Sequence, residues 1–471
     1  MRHRFLLLLF ATAACTAGPD YAGPAANAPA PPAAFVRDGA ADRTQPASSP
    51  WWSGLNDPLL DQLIGQALAG NPDLDAATAR IRQARASLVE RRAAGLPAVN
   101  ASALFAKARL PGQSSDGGAT DLTLYNLGFD SSWELDLFGG QHRAVEAARA
   151  DVGSSEASLA DARVSLSAEV AQTYVELRER QQQLALGENA LAMDEQLVAL
   201  ASQRFQAGTV GRDVAQRAEQ GRDEARAMLA PLRADIDAHK DQLAMLTGAV
   251  PGALDAQLDQ PAPIPLPPPQ VAVGDPAALL ARRPDIRAAE RKLAAQTARI
   301  GVAQAARMPH ISFLGLFGLG GSKPGDLFDL DKFTLAAVPR LSWSLFDFGS
   351  GRAKVRGAQA QRDEAAAQYR SAVLKALQDA EGALSRFARS RESLADRVAA
   401  ERQANATAEL ARQRQAAGTI ALGDYLAARQ AAITAQRARQ EAAAATTTAF
   451  IAVEKALGLG WQDRPPASSA N

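Results

Sequence analysis

The residue with the most distinctive chemistry is Cys15, the only thiol in a chain of 471 residues. It closes the run "MRHRFLLLLFATAAC". Arg2, His3 and Arg4 come first, then about ten apolar residues, then small ones, which is the three-part pattern of a secretory signal. The run is too short to cross a membrane as a helix. A cleavage site ending in cysteine predicts a lipoprotein. Residues 1–14 are then the signal peptide, and the Cys15 thiol takes a diacylglycerol and becomes the first mature residue. Thr12 stands where such signals usually carry leucine, a departure from the pattern. The alternative is an ordinary signal peptide with an incidental cysteine. No second cysteine exists, so no internal disulfide can form.

Other residues capable of chemistry are not grouped for it. His3, His142, His239 and His310 are scattered, and no Cys or His stands at metal-ligand spacing. "GLFGLGGSKPG" is superficially like a phosphate loop, but Pro324 follows Lys323 where a helix would have to open, so it reads as a strand entering a hairpin loop. Carboxylate pairs on helices are what any solvated face carries. No catalytic residue, metal or soluble cofactor is expected; the covalent lipid on Cys15 is the one added group. Lys+Arg and Asp+Glu both total 51, so bulk charge does not attract nucleic acid.

The elements follow from proline placement. The chain has 26 prolines, yet none between Pro111 and Pro231 and none between Pro339 and Pro465. Proline breaks helix interiors, so these Ala-, Arg-, Gln- and Leu-rich stretches have room for long helices. A Pro-rich linker, "VPGALDAQLDQPAPIPLPPPQVAVG", separates two halves that are copies. "NPDLDAATARIRQARASL" returns as "RPDIRAAERKLAAQTARI", "SSWELDLFGG" as "LSWSLFDFGS", and "QRFQAGTV" as "QRQAAGTI". Leu96-Pro97 returns as Met308-Pro309. The offset stays at about 210 to 212 residues, which marks an internal duplication. The boundaries read as 15–71 for an N-terminal arm and equatorial segment, 72–248 for the first repeat, 249–283 for the linker, 284–458 for the second repeat and 459–471 for a tail.

Each repeat reads helix, strand, strand, helix, helix. In "YNLGFDSSWELDL" the positions Tyr125, Leu127, Phe129, Trp133, Leu135 and Leu137 alternate with Asn126, Gly128, Asp130, Ser132, Glu134 and Asp136. That is a strand with one apolar and one polar face. The second copy repeats it from Phe333 through Leu335, Leu341, Trp343 and Leu345, and "PAVNASALFAKA" and "PHISFLGLFGLG" make partner strands. No run of eighteen apolar residues exists, so any membrane entry is by strands, and four strands cannot close a barrel alone. A membrane reading therefore requires an oligomer. Apolar residues recur every seven from Val145 through Val152, Leu159 and Leu166; after a slip of four they resume at Val170, Leu177, Leu184, Leu191, Val198 and Phe205. Such a stuttered heptad predicts a long supercoiled helix over 141–207, about 100 Å in length, with a return helix of about 55 Å.

The segments "ACTAGPDYAGP" and "WWSGLNDPLLDQLIGQALAGNPDL", the paired strand ends and the paired "AGT" turns resemble the outer-membrane factor lipoproteins, TolC-like and NodT-type, of resistance-nodulation-division tripartite efflux pumps. The resemblance spans nearly the whole mature chain. It implies an α+β membrane protein: an internally duplicated homotrimer with a 12-stranded outer-membrane β-barrel continuous with a 12-helix periplasmic α-barrel. It implies an exit duct for small molecules such as drugs, fed by a periplasmic adaptor (a membrane fusion protein) and an inner-membrane pump. The duct would be lipid-anchored and barrel-inserted in the outer membrane of a Gram-negative bacterium. Two other functions fit the same residues: an exit duct for type I protein secretion, and a structural periplasmic lipoprotein that does not conduct. At residue level, Gly208 and Gly418 suit the tight reversals of two helix tips. The resemblance makes those tips, with Thr209, Val210, Thr419 and Ile420, the docking site for the adaptor. It places a gate just inside the tip, at Asp424, Tyr425 and Leu426, although Arg429-Gln430 stand where an acidic residue often follows. Trp133 and Trp343 are expected to face lipid near one interface of the bilayer; an inward core position is the alternative.

Overall fold

The computed structural model describes residues 16–24, 31–37, 44, 50–110 and 120–461. The signal peptide and Cys15 lie outside the described residues, as do 111–119 of the first hairpin loop and 462–471 of the tail. The first repeat runs α1 (Pro58–Gly70), α2 (Pro72–Ala93), β1 (Ala98–Leu110), β2 (Thr120–Leu135), α3 (Gly140–Gln206), α4 (Arg212–Ala227) and α5 (Leu229–Leu246). Two short helices, α6 (Asp255–Leu258) and α7 (Pro276–Arg282), follow in the linker. The second repeat runs α8 (Pro284–Ala305), β3 (His310–Gly321), β4 (Phe333–Ser342), α9 (Ser350–Ala416) and α10 (Leu422–Ala456). The duplication is exact in length for two pairs: α2 and α8 have 22 residues each, α3 and α9 have 67.

Two expectations change in detail. The return helix of the first repeat breaks at Met228, between α4 and α5. Pro231 has no N–H to bond the carbonyl four residues back, so the ladder fails there. The second copy has no proline at this level, and α10 runs unbroken for 35 residues. Strand β4 ends at Ser342, so Trp343 and Leu345 lie just past it.

The chain forms two compact units that cut across the repeats. The first comprises Met1–Ala28 (of which 16–24 are described), Arg80–Glu156 and Ala288–Arg370. It holds one antiparallel sheet in the order β1-β2-β3-β4. The two hairpins join edge to edge through β2 and β3, in register from Tyr125↔Gly321 to Leu135↔Ile311, leaving β1 and β4 as edges. At each strand-to-helix turn an aspartate caps the next helix, and this explains the repeated "LDLFGG" and "LFDFGS". Asp136 accepts from the backbone N–H of Gln141 (3.0 Å) and His142 (2.8 Å), and Asp347 from those of Gly349 (2.9 Å) and Gly351 (2.7 Å). Those N–H groups hold the Asp347 carboxyl below the usual range.

The second unit comprises Pro29–Ala79, Ala157–Arg287 and Ser371–Asn471. Its core gathers the middles of α3 and α9 with α1 and the end of α10. Leu60, Leu63, Ile64, Val170, Leu177 and Ile451 are fully buried there. The "WWSGLNDPLL" segment belongs to this core. Trp51 packs edge-on against Trp52 (5.6 Å) and Phe450 (6.1 Å), while Asp57 caps α1 and accepts from the Tyr174 hydroxyl at 2.7 Å. Of the heptad positions, Val152, Leu166, Val170 and Leu177 are buried, while Phe205 is exposed near the tip.

Candidate functional site

The site is a surface, and its first part is the sheet. Cross-strand register sorts its residues by face, since directly paired residues point the same way. One face carries Phe105, Tyr125, Leu127, Phe129, Trp133, Phe313, Phe317, Phe333 and Leu335. Rings contact across the strands: Phe105 with Tyr125 at 5.0 Å, Phe129 with Phe317 at 5.2 Å, Trp133 with Phe313 at 6.1 Å. Most of these side chains are exposed, a large contiguous apolar area that water alone would not stabilise. The opposite face carries Asn100, Ser102, Asn126, Asp130, Ser132, Glu134, His310, Ser312 and Arg340. It also carries Leu104, Leu124, Leu314 and Val338, so it is the more polar of the two faces, with its polar groups gathered toward one end.

Trp133 and Trp343 have equivalent geometry despite lying on opposite sides of a strand end. The Trp133 indole N–H donates to the Gly95 carbonyl (3.0 Å), and that of Trp343 to the Arg307 carbonyl (3.1 Å). Each acceptor stands two residues past the end of α2 or α8, so each indole ties a helix end to the foot of the sheet. Their rings stay partly exposed, at 38% and 55%.

The tips are the second part. In both copies the helix ends in the same cap. Gly208 (φ 68°) and Gly418 (φ 72°) take the left-handed conformation that favours glycine. The Thr209 N–H bonds the Arg204 carbonyl and the Gly208 N–H bonds that of Phe205, both at 2.9 Å. Thr419 and Gly418 repeat this with Arg414 and Gln415 at the same distance. This is the Schellman arrangement. Each threonine hydroxyl donates to the same carbonyl at 2.9 Å, so it serves the cap first. Val210 and Ile420 are half-buried.

Behind the second tip, the three gate candidates part ways. Asp424 is exposed, and its carboxylate accepts from the Ala421 backbone N–H at 3.3 Å, capping α10. Tyr425 is half-buried, with its hydroxyl 3.5 Å from the Arg429 guanidinium. Leu426 is 1% exposed and packed with Ala190, Met193 and Ile433, so it joins α10 to α3. Among the described residues no group of His, Cys, Asp or Glu is placed to hold a metal, and no helix is long and apolar enough to cross a membrane.

Sequence reasoning passed over two features. One is the Glu134–His310 contact on the polar face, visible only once β2 and β3 are paired. The other is Arg143, buried at the start of α3, which donates to the Ala17 carbonyl (3.1 Å), Asp20 (2.5 Å) and Glu146 (2.7 Å) and so pins the segment after Cys15.

The model of the outer membrane efflux protein family matches residues 63–249 and 276–459, most of both repeats. The chain belongs to that family. This efflux protein is 32% identical to the outer membrane protein OprJ of Pseudomonas aeruginosa over 467 residues, 97% of this chain and 95% of that one. It is 30% identical to the toluene efflux pump outer membrane protein TtgC of Pseudomonas putida, over 97% of this chain and 94% of that protein. Among solved structures, the outer-membrane channel OprN is 34% identical, with a TM-score of 0.87 over 95% of this chain and 100% of that one. The efflux protein therefore has the duplicated α+β fold of the trimeric TolC-like channels, and its place is the outer membrane, as the outer component of a tripartite efflux system.

Proposed function

We propose that the chain is a homotrimeric exit duct that passes small molecules from a periplasmic adaptor and a resistance-nodulation-division pump to the outside. The observation that carries this is the four-stranded sheet, with one aromatic face, one polar face and two open edges. Lipid tolerates no open edge, so β1 of one chain must pair with β4 of the next, and three copies give a ring of twelve strands. The aromatic face then meets lipid and the polar face lines water. Relatives whose names refer to toluene and to pyoverdine support small molecules as cargo. The tips dock the adaptor. Val210 and Ile420 present matched β-branched side chains, and three chains multiply them into six similar contacts whose sum is strong although each is weak. Asp424 and Tyr425 serve the gate, Trp133 and Trp343 sit at a lipid interface, and Cys15 carries the acyl anchor.

The test is a double substitution, Val210→Arg with Ile420→Arg. Trimer assembly and membrane insertion should persist while drug efflux and adaptor cross-linking are lost. Full efflux from this variant would reduce the tips to turns.

A further inference from the structure

All the charge on the polar face of the sheet sits toward one end. Glu134 and Arg340 both oppose Ser312 across β3, one on each side, and His310 lies two residues along on the same face. Asp130 follows about 13 Å along β2. The remaining positions of that face are apolar, small or neutral: Ala98, Asn100, Ser102, Leu104, Leu124, Leu316, Gly318 and Ala336 are examples. Here Glu134 and His310 form a contact, with Nδ1 2.9 Å from Oε1. The other ring nitrogen, Nε2, lies 3.4 Å from the Ala306 carbonyl. Both partners are acceptors. A neutral imidazole carries a single N–H and can serve only one of them, while imidazolium serves both. The charged groups around the ring are few. Glu134 and Asp136 approach from β2 and its turn, Arg91 lines the same 250 Å³ cavity from α2, and Arg340 comes from β4; the turn just after α8 offers only the Ala306 carbonyl. Asp136 is engaged with backbone N–H groups of α3.

We propose that Glu134, His310, Arg340 and Asp130 form the charge filter of the duct, and that protonation of His310 sets its ion preference. The proposal rests on the polar face lining the water path of the trimer. With neutral imidazole, two carboxylates face one guanidinium, so each chain contributes one net negative charge and the ring favours cations. With imidazolium the sum per chain is zero and the preference is lost. The recognised class is small permeating ions, and charged cargo meets the same ring.

The experiment uses the full-length trimer in planar bilayers of neutral phosphatidylcholine under a KCl gradient. The reversal potential is read at about pH 8 and about pH 5. The K⁺/Cl⁻ permeability ratio should fall about two-fold or more on acidification, as removal of a like-charged ring requires. His310→Gln should abolish that shift, and His239→Gln, in the other compact unit, should leave it intact. Glu134→Gln should lower the ratio at both pH values. A wild type without the shift, or a His310→Gln variant that retains it, overturns the filter and leaves the duct reading standing. A trimer that inserts and never conducts, even when the proposed gate is substituted as Asp424→Ala, overturns the duct, and the filter with it.

Discussion

Glu454 is a carboxyl buried near the end of α10, and burial pushes it up to about 8. The folded state therefore holds this proton more tightly than the unfolded chain, whose glutamates titrate near 4.5. Between those two values the folded chain binds more protons, so stability from this group falls as pH rises through that window and is restored below it. Glu454→Gln keeps the shape and removes the ionisation. The thermal midpoint of the variant should exceed that of the wild type by a few degrees at about pH 9 and match it at about pH 5; equal midpoints at both pH values would show that Glu454 does not titrate across the window. Cys15 invites a different measurement. Cys15→Ser should lose acyl labelling, and the strands should still hold the trimer in the membrane, because a lipid chain adds only about 0.8 kcal/mol per buried methylene. An unmodified thiol in the mature wild type, or cleavage elsewhere, would remove the lipoprotein reading.

At the level of elements, the duplication preserves jobs more faithfully than residues. Asn71 precedes α2 and donates its amide to the Leu246 carbonyl at 2.9 Å; Arg283 precedes α8 and donates its guanidinium to the Ala456 carbonyl at 2.8 Å. An amide and a guanidinium thus make the same tie between the start of one helix and the end of another. The indoles of Trp133 and Trp343 likewise make one tie twice, and there the residue is kept. With each N–H held by a carbonyl at the foot of the sheet, the exposed ring edges should lie where lipid headgroups begin. Brominated lipids should quench the fluorescence of both, measured in variants where Trp51, Trp52 and Trp461 are Phe; unquenched emission would place them away from lipid. The helices, the tips and the strand alternation were legible in the sequence because each is set by local spacing: proline-free length, a glycine at a reversal, period two. The break at Met228 has a local signal of the same kind, Pro231. What spacing cannot show is what register decides. Glu134 and His310 are 176 positions apart in sequence, and their contact exists only because the two hairpins join through β2 and β3. The packing of Leu426 against α3 is hidden for a related reason, since a leucine one turn into a helix gives no sign of which neighbour it packs against.

For the whole molecule, the decisive fact is that the sheet of one chain is unfinished. Both β1 and β4 expose backbone groups along more than nine residues, and the sheet has an aromatic face that water does not stabilise. Each unpaired N–H or C=O costs several kcal/mol in hydrocarbon, so the chain cannot insert as this sheet alone. Pairing β1 with β4 of another copy satisfies both edges at once, and it repeats at every junction of a closed ring. The pairing can be seen directly, because the chain has no native cysteine after Cys15. Ala337→Cys in β4 can be combined in turn with Val99→Cys, Ala101→Cys or Ala103→Cys in β1, all on the aromatic face of the sheet. At least one combination should oxidise between chains and run on denaturing gels as a ladder ending at the trimer, with no such ladder from Ala337→Cys alone. If every combination stays monomeric while the protein is inserted in the membrane, β1 and β4 are not neighbours, and the barrel closes by some other pairing.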